Sequence, residues 1–355
     1  MQVTIADPVS QTYIFIVVLL VALVISIHKR ISVGSLTIGT TQELKGFAIL
    51  AVIFAHIGYY LAIDHQFLFP LSILAGVGVD LFLFMSGFGL AMSVFSRDLS
   101  VWQFYRRRLK KIYVPLWITL SCFFVLDYFL LHINYGLSYV TSSMLGWFPH
   151  ANIYTDVNSP LWYISLIVFY YLLFPLIFSK RYPLVSALGI CAVTYATLIW
   201  ASPVLGEVIH LYQLHLVAFP LGIAAAALIR GRDSLGVIKN NYLYYTIIAA
   251  LLGAIGYLAI YSNVGADYLL AESTSIVTML LIVILFVVKR TELRLLYLFG
   301  LFSFELYLVH WPLMYRYDVF FKWLPAWMAV VAYLVLFLGV GKVLQILMKK
   351  IDTVI

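Results

Sequence analysis

The chain has 355 residues, of which 64% are hydrophobic and only 10% are charged. Its mean hydropathy of +1.02 excludes a soluble globular domain and predicts a protein that crosses the membrane many times. The net charge of +7 does not indicate nucleic acid binding, because the basic residues are spread over the connections between apolar segments.

Apolar windows of about 17 to 25 residues fill nearly the whole chain, and each is long enough to cross the membrane as a helix. They predict an all-α polytopic protein with about eleven transmembrane helices. Residues 1–355 are expected to form a single membrane domain without a soluble domain. The windows are 11–27, 45–63, 71–95, 113–131, 161–178, 184–200, 208–229, 242–261, 269–288, 295–315 and 326–347.

The basic residues predict the orientation of these helices. All but two of the 22 Lys and Arg residues fall in alternate connections or at the helix ends beside them, the exceptions being Arg316 and Lys322. Connections rich in Lys and Arg remain in the cytoplasm. The sequence therefore predicts an external N-terminus and a cytoplasmic C-terminus.

Ionisable residues inside the windows are candidates for function, because each costs free energy in hydrocarbon. His56, Asp80 and Glu305 are all expected near the middle of the membrane. Lys45 lies eleven residues before His56, which corresponds to about 16 Å of helix and nearly the same face. A buried His or Asp is also common as a structural hydrogen-bonding group. Convergence of three such residues favours catalysis, with a carboxylate orienting His56 as a base.

Five segments, in order, resemble the acyltransferase-3 family of membrane acyltransferases. The resemblance covers about residue 40 to the end, so residues 41–355 would be a ten-helix acyltransferase core. Residues 1–40 would then add one N-terminal helix and a linker. The matching features are Lys45 and His56 with ten residues between them, VDLFLFMSGF at 79–88, YRRRLKKIYVPLW at 105–117, SPLWYISLIVFYYLLFPLI at 159–177 and FSFELYLVHWPL at 302–313.

The resemblance implies transfer of an acyl group, commonly acetyl, from cytoplasmic acyl-coenzyme A to a hydroxyl of a cell-surface or lipid-linked glycan. His56, Asp80 and Glu305 would be catalytic, with His56 acting as a general base or as a transient acyl carrier. The donor phosphates would bind basic residues at the inner face, namely Lys45, Arg107, Arg108 and Lys111.

Trp162 and His310 are the candidates for acceptor binding. His210 and His215 are expected to be structural, and no metal site is implied. The family setting implies a bacterial cytoplasmic membrane, contact with membrane lipid and a place beside polysaccharide-synthesis machinery.

Two other classes remain open from the sequence alone. A transporter or a lipid-linked-sugar flippase also has many helices and mid-membrane charges, although no repeat or pair of interrupted helices is evident here. A non-enzymatic partner in polysaccharide export would have no need of His56. Loss of function on His56→Ala, with normal abundance in the membrane, would therefore argue against that partner.

Overall fold

The computed structural model describes residues 2–30, 34–97, 100–152, 155–205, 208–231, 238–262 and 268–354. This part of the chain is mainly helical. Its two short strands, β1 (Ile27–Lys29) and β2 (Thr291–Leu293), pair antiparallel. The α-helices are α1 Pro8–Ile25, α2 Ile38–Ala55, α3 Ala75–Ser96, α4 Val101–Leu131, α5 Leu137–Met144, α6 Trp162–Ile177, α7 Pro183–Leu205, α8 Ile209–Leu214, α9 Ala218–Ile229, α10 Asn241–Tyr261, α11 Tyr268–Val288, α12 Arg294–Leu301, α13 Ser303–Trp311 and α14 Ala326–Val354.

Ten helical segments within these ranges are long and apolar enough to cross a membrane. An eleventh passes the same test only as a pair of helices, Arg294–Leu301 and Ser303–Arg316, which meet at an angle of 71°. The predicted all-α polytopic class is confirmed.

The predicted span over 295–315 is a bent pair of helices, because the chain turns at Phe302 between α12 and α13. The turn follows the point where α12 presses against α2. A Cβ on Gly300 would lie 1.8 Å from the carbonyl oxygen of Gln42. Hydropathy cannot detect this bend, since the residues on both sides of it are equally apolar.

Glycines set the closest helix crossings of the bundle. A Cβ on Gly46 would lie 1.8 Å from the carbonyl oxygen of Leu296, so α2 and α12 touch backbone to backbone. The crossing of α3 and α9 uses Gly87 in the same way, with 2.2 Å to the carbonyl oxygen of Phe219. Small residues allow such approach in membrane bundles, where van der Waals packing replaces the hydrophobic effect. The crossings fix α2 and α3, which carry two candidate site residues.

A buried ion pair joins the beginning of α2 to the end of α11. The ammonium of Lys289 contacts the carboxylate of Glu43, and both side chains are buried. Burial lowers the pKa of Lys289 below its ordinary value, although the Glu43 carboxylate opposes that shift. Arg30, beside β1, donates to the carbonyl of Phe286 and to the hydroxyl of Thr40. These contacts tie the segment after α1 to the rest of the bundle.

Candidate active site

A cavity of about 1300 Å³ runs through the bundle and is lined by residues from most of the helices. It exceeds the roughly 300–1,000 Å³ usual for a small-ligand pocket. One part of its wall is cationic, with Lys45, Arg108, Lys111 and Lys349. Another part carries hydrogen-bonding side chains and a carboxylate, namely His210, His215, Ser262, Glu272 and Ser275.

The ion pair of Glu43 with Lys289 gives a common origin for measuring depth along α2 and α11. Lys45 lies two residues from this origin. His56 lies thirteen residues along α2 and Ser275 fourteen residues back along α11, each about 20 Å from the pair. The cationic wall is therefore at one end of the cavity. His56 and Ser275 lie at similar depths, far from that end.

His56 lies where the helical backbone changes its geometry. The α-helix α2 ends at Ala55 and the chain continues as a π-helical turn over His56–Leu61. The helix that carries His310 does the same, with a π-helical turn over Pro312–Arg316. Such turns occur frequently at functional sites, because they redirect the side chains beside them.

The imidazoles of His56 and His310 form a direct hydrogen bond, with 2.7 Å between Nδ1 of His56 and Nε2 of His310. The two rings are parallel, with an interplanar angle of 3°. His56 is partly exposed to the cavity, whereas His310 has 0% exposed surface. His310, which the sequence predicts as an acceptor-binding residue, is therefore enclosed and contacts His56.

Backbone carbonyls define how the protons are arranged in this pair. Nδ1 of His310 lies 2.9 Å from the carbonyl oxygen of Tyr307 and 3.1 Å from that of Leu306. A carbonyl only accepts, so Nδ1 of His310 carries a proton and the neutral ring presents a lone pair at Nε2. Nδ1–H of His56 donates to that lone pair. Nε2 of a neutral His56 is then free to accept a proton.

Asp80 is paired with a different histidine. Its Oδ1 lies 2.7 Å from Nδ1 of His215, and its Oδ2 accepts from the hydroxyl of Ser275 at 2.5 Å. Asp80 has 0% exposed surface. Asp80, one of the two carboxylates that the sequence analysis considers near His56, thus contacts His215 instead. His215 is 135 residues away, so sequence spacing cannot relate it to α3.

Glu305 also lies apart from His56. It packs against Gly341 of α14. Gln345, in the same helix, donates to the carbonyl of Leu301. Glu305 precedes His310 by five residues, about 7.5 Å of helix, and Gln345 lies one turn from Lys349. Glu305 lines the cavity on the side of the cationic wall. The three predicted residues therefore do not converge. His56 pairs with His310, Asp80 pairs with His215, and Glu305 lies apart from both pairs.

The remaining predicted site residues line either the main cavity or a smaller pocket beside it. Lys45, Arg108, Lys111 and Trp162 line the main cavity. Arg107 instead lines a neighbouring pocket of about 350 Å³, which shares Arg108 and Lys111 with the cavity. Trp162 stacks on His215, with ring centroids 5.8 Å apart and an angle of 16°.

His215 and Ser275 are the residues that the sequence analysis did not assign to the site. His215 lies at the interruption between α8 and α9, where its φ of −119° departs from helical values. Interrupted helices in membranes occur where the backbone is buried in protein or lines a cavity. The polar run HLYQLH at 210–215, within an otherwise apolar window, is the signal that could have indicated this break.

A bundle of membrane-crossing helices around a cavity with a cationic end and a histidine pair defines a multi-pass membrane protein with an internal site for a substrate. The chain belongs to the acyltransferase-3 family. The acyltransferase domain that defines this family matches residues 44–344. The predicted family resemblance is confirmed. The protein is therefore a multi-pass membrane member of this family.

One relative is the acyltransferase MdmB of Streptomyces mycarofaciens, which is 32% identical over 144 residues. The matched region covers 38% of this chain and 37% of that protein, so the similarity spans little more than a third of either. No solved structure matches the chain.

Proposed function

We propose that the protein transfers an acyl group, most simply acetyl, from acyl-coenzyme A on the cytoplasmic side to a hydroxyl of a cell-surface or lipid-linked glycan. The observation that supports this function is the continuous cavity between the cationic wall and His56. We place the protein in a bacterial cytoplasmic membrane, with its N-terminus outside and the cationic end of the cavity facing the cytoplasm. Residues 41–355 form the acyltransferase core and residues 1–40 an additional helix and linker.

The cationic wall suits the polyanionic end of the donor. Arg side chains bind phosphate with paired, charge-assisted hydrogen bonds, and Lys supplies a point charge. Lys45, Arg108 and Lys111 would hold the phosphates, with Arg107 at the adjoining pocket. The extended arm of coenzyme A then follows α2 for about 16 Å and brings the thioester to His56.

His56 would act as the general base. Its Nε2 accepts the proton of the acceptor hydroxyl while that oxygen attacks the thioester carbonyl carbon. The carbon–sulfur bond then breaks, and the imidazolium returns its proton to the departing thiolate of coenzyme A. His310 keeps Nδ1–H of His56 engaged throughout, which fixes the ring and stabilises its cationic form.

Release of free coenzyme A from acetyl-coenzyme A by the purified protein in lipid tests this function. We expect release that depends on a glycan acceptor, and a fall of about 10²- to 10⁴-fold in His56→Gln, the loss associated with one general base. His150→Gln, at an exposed histidine outside the helices, is the matched control and should retain full activity. Equal rates in the two variants would remove His56 from the mechanism. Absence of release with every acceptor would favour a transporter.

A further inference from the structure

The cavity wall contains a second hydrogen-bonded histidine, His215, whose partner is Asp80. The mechanism above does not use this Asp80–His215 pair. Asp80 holds Nδ1 of His215 at 2.7 Å, while Ser275 donates to the other oxygen of the same carboxylate. His215 and Ser275 both line the cavity, and Asp80 is sealed beneath them. A buried carboxylate in this position fixes the tautomer of a histidine, so that Nε2 of neutral His215 carries the lone pair.

The surroundings of His215 differ in charge from the cationic end of the cavity. Trp162 covers one face of the imidazole. Glu272 and His210 line the same part of the wall, and Gly76 leaves the space beside the pair open. A Cβ on Gly76 would lie 3.5 Å from the hydroxyl of Ser275 and 3.8 Å from Cε1 of His215. The carboxylates of Asp80 and Glu272 would repel an anion in this region, whereas a neutral hydroxyl could form hydrogen bonds with the side chains here.

We infer that the Asp80–His215 pair forms the binding site for the acceptor and that this acceptor is an uncharged polyhydroxyl compound. Nε2 of His215 accepts a hydrogen bond from one acceptor hydroxyl, and Glu272 is placed to accept another. Ser275 lies about as far along α11 as His56 lies along α2, which brings the acceptor to the depth where the thioester is attacked. His215 is thus an acceptor-binding residue, and Asp80 positions it. The inference rests on the proposed acyl transfer.

A binding test that needs no catalysis uses diethyl pyrocarbonate, which modifies unprotonated histidine nitrogens. With the intact protein in lipid nanodiscs, peptide-resolved mass spectrometry follows modification of His215. We expect at least one methyl glycoside from a panel of glucose, galactose, mannose and rhamnose to slow modification tenfold or more. Glucose 6-phosphate, the charged counterpart, should give no protection. Failure of every methyl glycoside to protect His215, or equal protection by the anion, would overturn the inference.

A kinetic test separates positioning of the acceptor from general damage to the fold. Asp80→Asn keeps the shape of the side chain, but its amide N–H₂ can donate to Nδ1 and move the imidazole proton to Nε2. We expect kcat/KM for the methyl glycoside to fall tenfold or more, with the KM for acetyl-coenzyme A within twofold of wild type. Ser273→Ala, at an exposed serine of α11 that does not line the cavity, is the control and should change neither constant.

Equal losses toward donor and acceptor in Asp80→Asn would show a structural role and overturn the inference. A different result is that a glycoside protects His215 of the wild-type protein from modification but no acyl group is transferred. That result would overturn the proposed function and still support the acceptor site. The two failures are therefore distinguishable.

Discussion

At the scale of single residues, the site depends on which partner each histidine has. His56 is hydrogen-bonded to a neutral imidazole, whereas His215 is hydrogen-bonded to a carboxylate. A neutral partner fixes the tautomer of His56 without placing a fixed negative charge beside it. In the proposed mechanism, this lets His56 bind a proton during turnover and release it to the leaving thiolate.

Removal of the partner of His56 should affect turnover more than binding. We expect His310→Phe to lower kcat about 10- to 100-fold with little change in the KM for the donor, because Nδ1 of His56 loses its acceptor and the ring loses its orientation. His310→Gln should recover part of the rate, since its amide oxygen can accept the same hydrogen bond. Steady-state kinetics of both variants measure this. No difference between Phe and Gln would indicate that His310 serves only to fill space.

Charge at the cationic wall should control binding of the donor. Arg108→Gln combined with Lys111→Gln is expected to raise the KM for acyl-coenzyme A about tenfold or more, since hydrogen bonds to charged groups contribute about 1.5–3 kcal/mol each. Arg106→Gln, at an exposed residue outside both cavities, is the matched control. If all variants keep the wild-type dependence on donor concentration, these residues serve membrane topology alone.

The sequence predicted His56, Lys45, Arg108 and Lys111 as site residues, because ionisable residues in apolar windows and basic clusters are local features of a sequence. All four line the cavity. The partners of the histidines could not be predicted in that way. His310 is 254 residues from His56, and Asp80 is 135 residues from His215. Such pairs depend on which helices are neighbours, and apolar helices of similar length give no signal of that order.

At the scale of helices, irregular backbone marks the site. His56 begins a π-helical turn, His310 precedes another, and His215 lies between two helices. Hydropathy predicted the windows well, because length and apolar composition decide whether a segment crosses the membrane. It did not predict the bend at Phe302, where local composition stays apolar. It also did not predict the interruption between α8 and α9, where the polar residues of 210–215 are averaged over a longer apolar window.

The glycine crossings offer a test at this scale, with a control in the same helix. Gly87→Ala should lower the thermal stability of the purified protein and its activity, because the added Cβ would lie 2.2 Å from the carbonyl oxygen of Phe219. Overpacking of this kind typically costs about 1–3 kcal/mol. Gly89→Ala meets nothing within 4 Å and should melt at or above the wild-type temperature. Similar melting temperatures for the two variants would contradict the close crossing of α3 and α9.

At the scale of the whole molecule, buried charge pairs connect distant parts of the chain at both ends of the bundle. Glu43 pairs with Lys289, and Asp127 pairs with Arg316 while accepting from Tyr135 and Tyr317. Asp127 has 0% exposed surface. If the inside excess of Lys and Arg sets the orientation, the first pair lies on the cytoplasmic side and the second on the outside.

Cysteine labelling tests that orientation. In a background of Cys122→Ser and Cys191→Ser, a membrane-impermeant thiol reagent added to intact cells should label Ser138→Cys. It should not label Gln103→Cys until the cells are opened. Both positions are exposed and lie outside the most apolar segments. The reverse pattern would place the cationic end of the cavity outside, where a cytoplasmic donor could not reach it.

The central claim is that one cavity carries the acyl group from a donor at its cationic end to an acceptor at the level of His56 and His215. The most direct measurement uses sealed proteoliposomes, with the accepted glycoside trapped inside and acetyl-labelled acetyl-coenzyme A added outside. We predict labelled glycoside within the lumen, lost in His56→Gln and retained in His150→Gln. Product that forms only when donor and acceptor share the same side of the membrane would contradict the claim.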